Sequence, residues 1–288
     1  MLLAAALLLV SVPAEAQVRL GSELELERQE KQGILFGLRL SPTGVQLLRE
    51  VEKAYGKSIR QLSAPGAAAY EAGAAGVESD GTPVISLNDS TGKREEVVVH
   101  ELFHLKLFAE GFYEVQFVPA GGLNKDALGQ LSNTVLYPAI VSQVDHVAFY
   151  PRMRRMGLDP VFDQRAFWEE ALKGAPADGD AGAAKVAWAL YYFRAVTQIE
   201  DRPLLGRITA FYERTGRGEA LTLGRQLESL YRKAQPLNPD SALRLNVEIC
   251  NLLFGGAIQF SVAASGPERR GNFLMPKAYI QVSPKPTG

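Results

Sequence analysis

Cysteine is almost absent. Cys250 is the only one in 288 residues, so no intrachain disulfide can form. It sits in the apolar stretch Asn246 to Phe254 and reads as a small buried hydrophobe rather than a reactive thiol. An excess of charge of either sign is also missing: 31 basic side chains face 32 acidic ones, for a formal net charge of -1. Nothing in that balance points to nucleic acid or an anionic membrane surface, both of which select for basic surfaces. Internal repeats and long low-complexity tracts are lacking, and so is an apolar run of the roughly 20 residues needed to cross a bilayer. What remains, 47% hydrophobic and 22% charged, is an ordinary globular composition, with enough chain to bury a sizeable core in one large domain or two lobes.

The first sixteen residues stand apart. MLLAAALLLV is almost wholly apolar, and SVPAEA ends with small residues at Ala14 and Ala16. This A-x-A pattern predicts a secretory signal peptide over 1–16, with Gln17 as the new N-terminus and a secreted, periplasmic or cell-envelope location. No Lys or Arg precedes the apolar run, so either the true start lies upstream of Met1 or the segment is a short N-terminal helix. Removal of Glu15 with the segment would take the net charge from -1 to 0.

Further along, Ile34 to Leu40 predicts a strand. Ser41-Pro42 predicts a helix start, because Ser is a favoured N-cap and Pro a favoured first residue. Val45, Leu47, Leu48, Val51 and Tyr55 carry that helix to a stop near Gly56. Residues 63–82, rich in Ala, Gly and Ser, are expected to loop out, and Pro83 to Leu87 predicts a short strand before turn residues 88–92. A helix is expected over 93–110, with Gly111 as its stop. Further helices are expected over 123–150, 164–173, 180–200, 203–215, 218–234 and 240–254, with residues 174–184 as an exposed loop. Ala257 to Ala263 and Ala278 to Val282 have strand character. The aromatic residues Trp188, Tyr191, Tyr192 and Phe193 read as helix core.

The chemistry concentrates in Val97 to Leu107, VVVHELFHLKL. His100 and His104, four apart, share one face of a helix, and two imidazoles so placed can bind one tetrahedral Zn²⁺. Glu101 is adjacent to the first histidine and is placed to act as general base on a water at that ion. With three histidines in the chain, chance placement of an H-E-x-x-H string is rare. The bland alternative, two hydrogen-bonded histidines on a structural helix, buries two imidazoles and a carboxylate with nothing to neutralise them.

His100-Glu101-Leu102-Phe103-His104 resembles the motif of the zincin metallopeptidases. The resemblance covers this helix and its flanking strand. It implies an α+β, zincin-like fold with a small N-terminal mixed sheet and motif helix, then a mainly helical lower lobe with the cleft between. On this plan 1–16 is the signal peptide, 17–120 the N-terminal lobe, 121–255 the helical lobe and 256–288 a strand-like tail. The resemblance also implies that the strand before the motif helix, Pro83 to Leu87, lies at the cleft edge and can pair with an extended peptide.

Two histidines leave a catalytic zinc site incomplete, since such sites use three protein ligands and keep one position open. The extended metzincin pattern would need Gly at 107 and His at 110, where this chain has Leu107 and Glu110. Glu110, on a continuing helix, is turned away from the His100/His104 face. A gluzincin-like N-E-x-x-S-D string is missing downstream. The chain offers instead Tyr137 to Pro151, YPAIVSQVDHVAFYP, an apolar helix with a narrow polar set. Gln143, His146 and Tyr150 share a face. His146, the remaining histidine, is the expected third ligand, and Asp145 is its rival. Tyr150 could donate a hydrogen bond to an oxyanion, or be an amphipathic tyrosine at a helix end. Arg152, Arg154 and Arg155 could bind a substrate carboxylate or form a solvated face.

The expected function is a zinc-dependent metallopeptidase acting on a peptide or protein substrate, with Zn²⁺ held by His100, His104 and His146. Two alternatives stand beside it. One is a non-catalytic zincin-like binding or scaffold protein of the cell envelope, against which Glu101 argues, since a structural zinc needs no general base. The other is an exported helical interaction module in which the motif is coincidental.

Overall fold

A computed structural model describes residues 32–63, 73–88, 94–120, 136–174, 181–256 and 258–285. The segment 1–16 with its expected cleavage point, and residues 123–135 of the helix expected over 123–150, lie outside the described residues. Ile34 to Leu40 is not one strand. β1 (Ile34–Leu35) and β2 (Leu38–Arg39) form a hairpin closed at Phe36 and Gly37, with φ of 52° and 73°. Positive φ at both turn residues is the conformation that matches the twist of two short strands, so the chain reverses where its apolar pattern runs on.

α1 (Pro42–Tyr55) begins as its residue types require: the Ser41 hydroxyl accepts from the Gly44 amide at 3.2 Å, and Gly56 ends the helix at φ 67°. Its buried face, Leu47, Leu48, Val51 and Tyr55, packs on α2 (Glu95–Ala109), and the Tyr55 hydroxyl donates to the Leu105 carbonyl at 2.9 Å. Glu95 and Glu96 lie in the first turn of α2, where the helix dipole favours acids. The Glu95 carboxylate also accepts from the Ser41 amide at 2.7 Å, tying the starts of the two helices together.

The sheet beside α2 has the order β3-β5-β4, made of β3 (Arg60–Ser63), β4 (Gly73–Val77) and β5 (Pro83–Leu87). β3 runs parallel to β5 and β4 antiparallel, with Gly73 opposite Leu87. Two expectations fail here. The stretch expected to loop out contains β4, a Gly/Ala strand held by its partner rather than by its own weak strand propensity. And β5 is the central strand, paired on both sides, so it is not a sheet edge; the edges are β3 and β4.

A second sheet, β6-β8-β7, joins β6 (Glu114–Pro119) in parallel to β8 (Phe273–Pro284), which pairs antiparallel with β7 (Ile258–Arg270). The last strands thus return to a strand that directly succeeds the motif helix. Between them run α3 (Leu136–Arg155), α4 (Phe162–Ala171), α5 (Ala181–Gln198), α6 (Arg202–Arg214), α7 (Gly218–Ala234) and α8 (Pro239–Phe254). α3 passes through Pro151, where the expected helix stopped. Proline costs one helical hydrogen bond there and does not end the helix. The architecture is therefore mixed α+β, with strands early and at the end and helices between.

One core joins α1, α2, α3 and α8 to both larger sheets, and Cys250 is buried in it. A second is built from α4, α5, α6 and α7 around Trp168, Trp188, Phe211 and Tyr212. α5 belongs to both: Phe193 faces the first core, Tyr192 and Ala195 the second. Tyr191, expected in the core, is 39% exposed. Among the described residues, no helix is long and apolar enough to cross a membrane.

Candidate metal centre

α2 is wrapped on most sides: Val97, Val98, Val99, Leu102, Phe103, Leu105 and Leu107 are all buried. Within that apolar wrapping it carries His100, Glu101 and His104. Their helical spacing brings the two imidazoles to a 5.0 Å centroid separation, with their Nε2 atoms 3.3 Å apart. α3 crosses α2 here and inserts His146, whose ring centroid lies 4.6 Å from that of His100 and 5.3 Å from that of His104. One ring nitrogen from each histidine lies within 4.8 Å of the others. Phe149 floors the cluster, edge-on to all three rings at 5.1, 5.1 and 5.5 Å, and itself stacks on Phe103.

The outer nitrogens show which ones are free to face the centre. His146 Nε2 lies 3.0 Å from the Ser142 hydroxyl, one turn back on α3, whereas its Nδ1 is buried without a hydrogen-bond partner. An orphaned buried nitrogen is costly unless a bound ion or ligand meets it. His104 Nδ1 lies 3.7 Å from the Asp145 carboxylate, longer than a hydrogen bond but within ion-pair reach. A proton on that Nδ1, held by Asp145, leaves His104 Nε2 as a bare lone pair directed at His100. Three imidazole lone pairs can therefore converge on one point. Ligands about 2.0–2.1 Å from a tetrahedral ion stand about 3.3–3.4 Å apart, which matches the Nε2 pair. The residues present fit a divalent ion bound by His100, His104 and His146.

Burial and charge act consistently with that fit. Burial, then the charge of the neighbouring ring, holds His100 well below the ordinary histidine value, and the same causes act on His146. Both rings are thus neutral, as ligands must be. Burial opposes charging His104 too, but Asp145 and Glu101 outweigh it and raise its pKa. Burial raises Asp145, with His104 pulling the other way. Glu101 is 5% exposed, and burial pushes its carboxyl up to about 7 against the pull of His104. His100 and His104 remain partly accessible, so the centre opens on one side.

Gly73, the first residue of β4, lies directly over Glu101. A Cβ built there would stand 3.0 Å from the Glu101 Cγ and Oε1 and 2.9 Å from Leu87 Cδ2. The absence of a side chain on this edge strand is what lets it pass so close.

The structure separates the residues that shared a face in the sequence. Tyr150 belongs to the centre: its ring stacks on His146 at 4.9 Å and 13°, and burial pushes its hydroxyl pKa up to about 12, so it stays a donor. Gln143 instead turns to α5 and accepts from Gln198 Nε2 at 2.7 Å, and Gln198 in turn accepts from Gln164. Asp145 stands behind His104 rather than in the gap between the histidines. Glu110 is away from the centre and receives Arg152 at 2.8 Å. Arg154 pairs with Glu200 at 3.1 Å. The residue that sequence reasoning missed is Arg194 on α5. Its charge acts on His100, His146 and Tyr150. The available signal was that it is the one charged residue between Lys185 and Glu200.

Comparison with known proteins finds no matching family model, no matching curated protein and no matching solved structure.

Proposed function

We propose that this chain is a zinc-dependent hydrolase of the zincin type, acting on peptides at the cell envelope or outside the cell. The observation that carries the reading is the convergence of His100, His104 and His146, with the Nδ1 of His146 buried and unpartnered. A bound Zn²⁺ would supply Lewis-acid polarisation of the scissile carbonyl and lower the pKa of a water there toward about 7.

The chain's own residues supply the rest. Glu101, next to His100 and close enough to His104 to be influenced by it, accepts the proton of the attacking water and passes it to the leaving amine. Its shielding under Gly73 removes competing solvent from the carboxylate. Tyr150, neutral and stacked on His146, is placed to donate to the developing oxyanion. Asp145 keeps the His104 ring in the tautomer that presents Nε2, and Ser142 does the same for His146 with its Nδ1. An extended peptide would lie along β4, whose outer edge has no partner strand among the described residues and whose first residue covers Glu101.

The test is elemental analysis of the purified chain together with hydrolysis of a mixed peptide library. One equivalent of zinc is expected, lost in His104→Ala, with library cleavage that disappears on chelation. Zinc binding with no cleavage would instead favour the scaffold alternative, and a chain that binds no divalent metal would end both readings.

A further inference from the structure

Beyond its hydrogen bond to the Tyr150 hydroxyl, Arg194 has no structural task among the described residues. It sits on α5 between Phe193 and Ala195, both fully buried but in different cores, and so lies at the seam where α5 meets α3. The side chain is half-buried. Its buried Nε–H finds no acceptor, whereas a guanidinium kept for internal bonds would be given one. Among the described residues no carboxylate forms a direct ion pair with it. Asp163, whose carboxyl feels its charge, is solvent-exposed and feels Arg94 as well. Besides Asp163, its charge acts on His100, His146 and Tyr150, whose hydroxyl it hydrogen-bonds.

A cation in that place is unfavourable until something answers it. A half-buried guanidinium beside a metal ion is therefore a demand for an anion. Its planar fork suits a carboxylate, which it can hold through two parallel hydrogen bonds.

Resting on the metal-hydrolase reading, we propose that Arg194 is a substrate-anchoring residue that binds a carboxylate of the peptide beside the His100/His104/His146 centre. That carboxylate is either the free C-terminus of the substrate or an acidic side chain near the scissile bond. The site then selects anionic peptides over neutral ones of the same length.

The experiment uses the full chain loaded with Co²⁺, whose visible absorption reports groups that reach the metal, and three thiol probes. They are mercaptoacetyl-leucine with a free carboxylate, mercaptoacetyl-leucine amide, and mercaptoacetyl-aspartyl amide. Wild type, Arg194→Met and Arg194→Lys are titrated with each. Wild type is expected to bind at least one of the two acids about tenfold or more tightly than the neutral amide. Which acid is preferred tells the C-terminal source from the side-chain source. Arg194→Met should bind one equivalent of Co²⁺ and lose the preference, and Arg194→Lys should keep part of it. Cobalt bound normally with no preference in wild type, or an equal preference in Arg194→Met, overturns the anchoring role and leaves the metal centre standing. Wild type that takes up no cobalt overturns the metal centre and the anchoring role together.

Discussion

Asp145→Asn separates two roles that the sequence left in competition, metal ligand and support for a ligand. The Asp145 carboxylate lies 3.7 Å from His104 Nδ1, on the side of the ring away from His100. Full opposite charges about 4 Å apart interact by about 4 kcal/mol at an effective dielectric near 20. Metal binding places only part of a positive charge on the ring. A third to two thirds of that figure, about 1.3–2.7 kcal/mol, is then the expected loss, or a zinc affinity about 10–100-fold weaker. Asparagine keeps the shape, and it removes a carboxyl that burial disfavours in charged form. The metal-free variant should therefore melt at the same temperature as wild type or higher. The assay is competition for zinc against a chromophoric chelator, with thermal unfolding of the metal-free proteins as control. An affinity unchanged within about twofold would remove Asp145 from the site. Loss of zinc as complete as in His104→Ala, with normal folding, would make Asp145 itself the ligand.

Glu101→Gln should keep one equivalent of zinc, since the three histidines are untouched, while peptide hydrolysis falls by about 10²–10⁴-fold; full activity would take the base assignment from Glu101. His146→Ala should fold yet lose tight zinc binding, and retention of wild-type affinity would leave the orphaned Nδ1 without an explanation. Gly73→Ala places a methyl 2.9–3.0 Å from Leu87 and Glu101, so it should destabilise by about 1–3 kcal/mol in chemical denaturation. A gain in stability, the usual result where alanine replaces glycine without strain, would show that the strand does not lie so close. The exported protein should begin at Gln17 by intact mass, and retention of Met1 in it would sink the signal-peptide assignment.

What could be read from the chain was whatever is encoded within one element. The motif helix, its buried valine and leucine faces, and the cap at Ser41 depend on residues a few positions apart, and all lie where the periodicity puts them. β4 was hidden because Gly-Ala-Ala-Gly-Val carries no strand preference of its own and is held by a register with β5 that only the folded chain supplies. The parallel pairing of β6 with β8 joins Glu114 to Lys277, a distance no local pattern spans. At Phe36 the apolar pattern ran on through a turn that positive φ at a bulky residue would not suggest.

The polar set on α3 shows why side-chain roles were only half legible. Adjacent helical residues diverge by about 100°, so His146 and Asp145 could not both face one metal ion, and from spacing alone they were rivals. The structure uses both by giving them different nitrogens to serve. His146 brings its own ring into the trio, and Asp145, turned aside by that angle, reaches the far side of His104. Neighbouring residues on one helix thus supply a ring and the support for another ring, and the divergence that made them competitors is what lets them cooperate. The same geometry turns Gln143 away to Gln198, which fastens α3 to α5 and with it sets the distance from the histidines to Arg194. A change that loosens this amide contact should therefore disturb the anchoring of substrate before it disturbs the binding of metal.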